Sequence, residues 1–338
     1  MTSLEEVARR AGVSTATVSR ALSGRGRLAD ATRERVRRAA ADLGYVVSAT
    51  ASSLATGRTR SVGVLVPLLG RWFYANVLDG LATTLAAHGY DITLYNVTDD
   101  PAQRRHLFRT ALRRGRVDAV IALSLEVADT EIDDLESLGI PLIGLGTPSR
   151  RLSTLRVDDA AVARVATEHL LTLGHRAIAH IGQSRDDSDP QLDIPTLRRR
   201  GFEAALAAAG VGPAGFATGE FTIEAGYRAA QTLLRENRPT AIFAASDELA
   251  FGALFAARDQ GLDVPGDISI IGIDGHELGG FFGLTTIEQF PRAQGERVAE
   301  TVLAALGEDV APPSPSLPFA LVERTSTAPP TASGRAPA

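Results

Sequence analysis

The chain has 338 residues and a net charge of −5, and at roughly 150 residues per domain this length suits two or three domains. Hydrophobic residues make up 44% and charged residues 22%, the balance of a soluble globular protein. There is no cysteine and every basic residue is arginine, which excludes a disulfide framework, thiolate chemistry, a lysine Schiff base and a lysine phosphate loop.

No apolar run approaches the ~18 residues of a membrane span; the best, 62–69, stops at Gly70. The first residues, Met1-Thr2-Ser3-Leu4-Glu5-Glu6, are acidic where a secretory leader is basic, so a cytoplasmic protein is expected. The charge is unevenly placed. Residues 1–60 carry eleven arginines against five carboxylates, a net of +6, so the other 278 residues carry −11. A small basic head on an acidic body points to a polyanionic partner for the head.

The head reads as three short helices. Ser3 and Glu6 have the spacing of a capping box, and Leu4, Val7, Ala8 and Ala11 form one apolar stripe that Gly12 ends. Ser14 is placed to cap a second helix reaching about Leu22. Asp30 is placed to cap a third, with Val36, Ala39, Ala40 and Leu43 on its inner face and Gly44 after it. Two helices joined by a turn at Gly12-Val13, with a third across them, is a helix-turn-helix pattern. The second helix carries hydroxyls and ends in Arg20, a composition suited to phosphates and base edges. Residues 46–60, after the third helix, are small and polar apart from Leu54 and read as a linker that orders only with support.

From Ser61 the pattern changes. Apolar β-rich runs begin near Val62, Ile92, Val117, Pro141, Ala177, Ala241 and Ile268, with helical spacing between most of them, such as 77–88 and 161–173. Continuous apolar strands alternating with helices predict parallel sheets covered on both faces. Their number fits two doubly wound lobes, with a crossover near Val157-Asp158-Asp159. The Pro/Ala-rich end from Thr327 reads as disordered and carries no heptad.

This order of parts resembles the LacI family of transcriptional regulators. The head motif LEEVARRAGVSTATVSRALSG and the ADLGYV that closes the third helix are its most specific match. RVDAVI at Arg116, EHLLTLGHRAIAHIG at Glu168, RRRGF at Arg198, PTAIFAASD at Pro239, VPGDISIIGID at Val264 and LVERTST at Leu321 extend it over nearly the whole chain. The resemblance implies a helix-turn-helix domain over 1–46, a hinge over 47–60, and a two-lobed α/β body like a periplasmic binding protein. The first lobe would comprise 61–159 plus about 290–320, the second 160–289, with a disordered tail over 327–338.

The resemblance also implies site residues. Thr15, Ala16 and Arg20 would choose bases, and Thr17, Ser19 and Ser48 would touch phosphate. Leu54 corresponds to a hinge leucine that wedges into the minor groove and kinks the DNA. A ligand between the lobes would meet Arg71, Trp72, Phe73, Tyr74, Ser124, Arg198, Asp247 and Asp274. Partners implied are operator DNA, a second copy of the chain and a small effector, with no cofactor, metal or membrane. The function implied is a repressor of carbohydrate-utilisation genes released by a sugar; an activator, a corepressor-dependent regulator and a nucleobase sensor are the alternatives.

The chain departs from the family pattern where ligand and hinge contacts are expected. Val47-Ser48 stands for Pro-Asn, Ser52 for Arg, Arg71-Trp72 for Asn-Pro, Gly146-Thr147 for Asp-Arg, Ser246 for Asn, and Gly275 for a second Asp after Asp274. Enzyme signatures are missing: there is no G-x-S-x-G, H-E-x-x-H, P-loop or G-x-G-x-x-G, and the six histidines are scattered. A free sugar-binding protein would have no use for the head.

Overall fold

The computed structural model describes residues 3–23, 28–45, 57–97, 100–112, 115–183 and 193–331. The hinge expectation, with Ser48 and Leu54, lies outside these residues apart from 57–60, as does 332–338.

The head is three helices, α1 (Leu4–Ala11), α2 (Thr15–Ser23) and α3 (Asp30–Asp42). The capping box is formed: Glu6 N donates to Ser3 Oγ at 3.3 Å and Ser3 N to Glu6 Oε2 at 2.8 Å. Gly12 ends α1 at φ 63°, a conformation that glycine adopts without strain. Ser14 Oγ caps α2 by accepting from Thr17 N at 3.2 Å. Val7, Ala11, Val18, Ala21 and Val36 are buried between the three helices. One capping expectation fails. Ala29 holds the cap position of α3 without a side-chain bond, and Asp30 is already in the first turn, where its charge favours the positive end of the helix dipole.

The body opens with β1 (Ser61–Val66), α4 (Trp72–Ala87), β2 (Asp91–Asn96), α5 (Pro101–His106), a π-helical turn at Leu107–Ala111, β3 (Ala119–Leu123), α6 (Asp129–Ser137), β4 (Leu142–Leu145) and β5 (Thr154–Leu155). These strands form one parallel sheet in the order β2-β1-β3-β4-β5. The chain then builds α7 (Asp159–Thr172), β6 (Ile178–Gly182), α8 (Ile194–Ala208), β7 (Gly215–Thr218), α9 (Ile223–Glu236), β8 (Ala241–Ala244), α10 (Asp247–Asp259), β9 (Ser269–Asp274), α11 (Gly279–Phe282) and β10 (Thr285–Glu288). After α12 (Pro291–Ala305) and β11 (Ala320–Val322), the second sheet has the order β11-β10-β9-β8-β6-β7, with β11 alone antiparallel. Every apolar run singled out in the sequence is a strand. The four strands that were not, β5, β7, β10 and β11, have two to four residues each.

The chain crosses between the lobes three times. The first crossing is near Val157, where Asp158 Oδ1 caps α7 by accepting from Ala161 N at 3.0 Å. The second is at Gln289-Phe290, before α12 packs on α4 of the first lobe. The third follows Leu317, whose N–H donates to Arg156 O at 2.9 Å on the first lobe's edge, and leads into β11 on the second sheet. From 320 onward, a stretch to which the sequence reading gave no lobe before Thr327, the chain lies on the second sheet.

The disordered-tail expectation also fails for 327–331. Thr327 Oγ1 meets His169 Nε2 at 2.9 Å, Ala328 N donates to Ser269 Oγ at 3.0 Å, and Ala328 O lies 2.9 Å from His175 Nε2. Buried polar side chains satisfy this Pro/Ala-rich backbone, so composition alone misjudged it. In each lobe, helices cross at glycine. A Cβ on Gly80 or Gly295 would collide with backbone of the facing helix between α4 and α12, and one on Gly226 or Gly252 would do so between α9 and α10. No helix among the described residues is long and apolar enough to cross a membrane.

His180 on β6 is fully buried, stacked on Phe243 at 4.7 Å and on Phe202 at 5.1 Å. Its Nδ1 is 2.9 Å from Phe243 O, and its Nε2 has no partner among the described residues. Burial, opposed by the Phe243 carbonyl, brings its pKa down from 6.5 to about 4. Between those values the unfolded chain binds a proton that the folded chain refuses, so stability falls as pH falls through this window. Asp247, raised to about 6 by burial, works in the opposite sense. The comparison must therefore be between variants. Urea melts of His180→Phe and the parent from pH 7 to pH 4.5 should diverge in the variant's favour, by up to about 1.4 kcal/mol per pH unit. A difference independent of pH would mean that His180 accepts a proton in the folded state.

Candidate functional site

Both lobes share one strand order, β2-β1-β3-β4-β5 in the first and β7-β6-β8-β9-β10 in the second. An open parallel sheet of this order leaves a crevice beyond its strand ends where the winding reverses, between β1 and β3 and between β6 and β8. The residues that follow those strands converge from the two lobes on a cleft of about 760 Å³, counted to its open mouth.

The floor is Arg198, on α8 and only 5% exposed. Its Nε donates to Asp159 Oδ1 at 2.8 Å, one Nη to Ala245 O at 2.5 Å and the other to Gln289 Oε1 at 3.4 Å. Three of the five guanidinium N–H groups are thus engaged. Burial raises the Asp159 pKa, and the Arg198 charge opposes that shift. Gln289 passes the network on, donating from Nε2 to Asp274 Oδ1 at 2.8 Å. Asp274 also accepts from the backbone N–H of Asp247 at the start of α10. Its pKa is held well above the ordinary range by burial, against the pull of Arg198.

Seven of the eight expected ligand residues line the cleft: Arg71, Trp72, Phe73, Tyr74, Ser124, Arg198 and Asp274. Asp247 does not. It is fully buried, accepting from Thr286 Oγ1 at 2.7 Å and from His276 N at 2.7 Å, and it pins the start of α10 to β9 and β10. The sequence points at the right turn but the wrong residues of it: Ser246 and Glu248, on either side, line the cleft. Sequence reasoning also missed Asp159, Phe221, His276, Gln289 and Gln294. Gln289 follows β10, a Thr-Thr-Ile-Glu strand with a single apolar residue to announce it, while Asp159 lay at the predicted crossover and was read only as a boundary.

Two departures from the family pattern have a steric reason. Ser124 sits at φ 44° at the end of β3, with its hydroxyl bonded to Tyr74. Gly146 beside it has φ 95°, and a Cβ there would lie 2.6 Å from Ser124 Oγ. Gly275 has φ 79°, and its Cβ would lie 2.6 Å from Glu288 Cγ. An aspartate at either position would meet both strain and collision.

On the head, Thr15, Ala16, Ser19 and Arg20 are exposed on α2, and Arg20 Nε donates to Ala16 O at 3.2 Å. Thr17 is half-buried, with its hydroxyl 2.9 Å from Ser14 Oγ. Among the described residues no group of three or more His, Asp or Glu is arranged to hold a metal ion.

Residues 3–48 match the lacI family of bacterial regulatory proteins, and residues 167–327 match a periplasmic binding protein-like domain. The HTH-type transcriptional repressor CytR of Escherichia coli K12 is 33% identical over 308 residues, 89% of this chain and 88% of the relative. The chain belongs to the LacI family. It is a DNA-binding transcriptional regulator, and this family's members are regulators rather than enzymes. Among solved structures, the transcriptional regulator CelR in complex with cellobiose aligns with a TM-score of 0.69 and 30% identity, over 96% of this chain and all of that one. The lac repressor dimer bound to operator and the anti-inducer ONPF aligns at 0.83 and 26% identity, over 97% of this chain and 99% of that one.

Removing Arg198 leaves Asp159 as a buried, unpaired carboxylate. Arg198→Met should lower the unfolding free energy by about 3–5 kcal/mol, and Arg198→Met with Asp159→Asn should recover part of the loss. Chemical denaturation of the three proteins checks this; a harmless single substitution would refute the pairing.

Proposed function

We propose that this LacI-family chain is a repressor of carbohydrate-utilisation genes that binds a palindromic operator as a homodimer and is released by a small neutral sugar held between the lobes. The observation that carries the sugar reading is the internal pairing of the cleft's charges. Arg198 is matched to Asp159, and Arg71 Nη1 lies 3.9 Å from Glu248 Oε2. Among the described residues of the cleft, no arginine is left over for a phosphate or carboxylate. Hydrogen-bonding groups remain in Ser124, Asp274, Gln289 and the Arg198 fork, and Trp72, Phe73 and Phe221 supply flat apolar walls. A pyranose offers the complement: hydroxyls around its edge and an apolar face. The cellobiose complex of CelR supports this reading.

On the DNA side, Thr15, Ala16 and Arg20 read bases from the major groove, with Arg20 suited to guanine O6 and N7. Thr17, Ser19 and Ser48 hold phosphates, and Leu54 wedges a base step open. One recognition helix per chain gains specificity by pairing with a second across a palindrome. The operator-bound dimer of the lac repressor supports that stoichiometry. Exposed Phe281, 86% accessible, with Leu278 and Phe282 beside it, offers an apolar face for the second copy. The effector shifts the lobes, the shift reaches the paired hinges, and by linkage it binds the operator complex more weakly than the free protein.

Two measurements test this. A panel of mono- and disaccharides and purine bases is titrated while Trp72 emission and melting temperature are followed, and hits are carried into an operator-binding assay. One neutral saccharide should saturate the signal and weaken operator binding by roughly 5- to 150-fold. A response to purines alone would replace the sugar by a nucleobase, and tighter operator binding would make the ligand a corepressor. In the second, Leu54→Ala should weaken operator binding more than binding to non-specific DNA; equal losses would rule out the wedge.

A further inference from the structure

The mouth of the cleft is spanned by contacts that belong neither to its floor nor to the chain crossings. Arg71 and Trp72 stand at the start of α4 in the first lobe; Glu248 starts α10 and His276 follows β9 in the second. The Trp72 indole lies on the His276 imidazole with centroids 4.5 Å apart and planes 22° from parallel. Beside it, Arg71 Nη1 and Glu248 Oε2 are 3.9 Å apart. Two neighbouring residues of one lobe thus meet two residues of the other.

The two sides differ in how firmly they are held. The His276 backbone N–H donates to Asp247 Oδ2 at 2.7 Å, its Nδ1 accepts from Leu278 N at 3.1 Å, and its ring meets Phe251 edge-on at 5.2 Å. His276 is 8% exposed and fixed on three sides. Trp72 and Arg71 are half-buried at a helix start that has no side-chain cap. The Arg71–Glu248 separation is too long for a hydrogen bond, so this pair guides the approach and the ring stack fixes it.

We propose that His276 and Glu248 are positioning residues that hold Trp72 and Arg71 as a two-point latch, so that the body rests closed before any effector arrives. Resting on the reading of the cleft as an effector site, the latch also sets selectivity: a ligand that uses the Trp72 face competes with His276 for it, which favours ligands with a broad ring face over small polar ones.

The chain contains no cysteine, so two introduced thiols are unique labelling sites. Thr130→Cys on the first lobe and Glu220→Cys on the second, both at exposed positions, take spin labels, and electron–electron distances are measured on the full chain with no saccharide added. The parent should give one distance. His276→Ala should add a longer one, with the closed-to-open ratio falling by roughly twofold to tenfold for loss of the stack, and Glu248→Gln should lower the ratio less, because it keeps the stack. His276→Phe, which keeps a ring against Trp72, should retain the parent distribution. Trp72 emission should shift to the red and become more quenchable by acrylamide in His276→Ala but not in His276→Phe. A parent already spread over open distances, or a His276→Ala distribution identical to the parent's, overturns the latch. Should His276→Ala fail to fold, Trp72→Ala carries the test: it removes the same stack, leaves every hydrogen bond of His276 in place, and a parent-like distance distribution there overturns the latch. With no saccharide in the sample, the latch can fail while the effector reading stands, and the reverse.

Discussion

Burying a guanidinium is expensive in isolation, and the second lobe is arranged around offsetting that penalty for Arg198. Its partners come from three separate segments: Asp159 at the first chain crossing, the Ala245 carbonyl after β8, and Gln289 at the second crossing. One side chain therefore ties two of the three inter-lobe connections to the end of a central strand. The network continues through Gln289 to Asp274, and from Asp274 to the start of α10, where Asp247 answers by binding the backbone after β9. A displacement of any one of these segments disturbs the others, because each lone pair in the chain of bonds is matched to a specific donor.

The cleft is also where the backbone carries strain. Ser124 and Asp274, at the ends of β3 and β9, both have positive φ, as does Phe290 at the second crossing. Each is a non-glycine residue held in a sparsely populated region by its surroundings. Such geometry turns a strand-end side chain out of the sheet and toward the opposite lobe. The glycines at 146 and 275 then follow as necessities of the same turns.

How much of this could be read from the sequence divides along physical lines. The helix-turn-helix head and seven of the strands were legible because capping residues, apolar periodicity and continuous apolar runs are local signals. The cleft was partly legible because the resemblance to the LacI family carried its ligand positions onto this sequence, and most of them fall at strand ends that face the cleft. What stayed hidden depended on contacts remote in sequence. Asp247 and Glu248 are adjacent letters, and only the packing of α10 against β9 decides which faces the cleft. His276 gave no signal because its role comes from Trp72, some two hundred residues away. Residues 327–331 misled because their composition is that of a loose tail, while their order comes from His169, His175 and Ser269.

The threading of the body fixes the order in which its parts can mature during synthesis. The head has its own core within residues 4–45 and can assemble as soon as it emerges. Neither lobe has that freedom. The first waits for α12 to cover α4, and the second waits for β11 and the segment pinned by His175. On the ribosome, a finished DNA-reading head therefore precedes both unfinished lobes until residues 320–328 have emerged. A stalled or truncated chain would keep a folded head while losing the body that controls it.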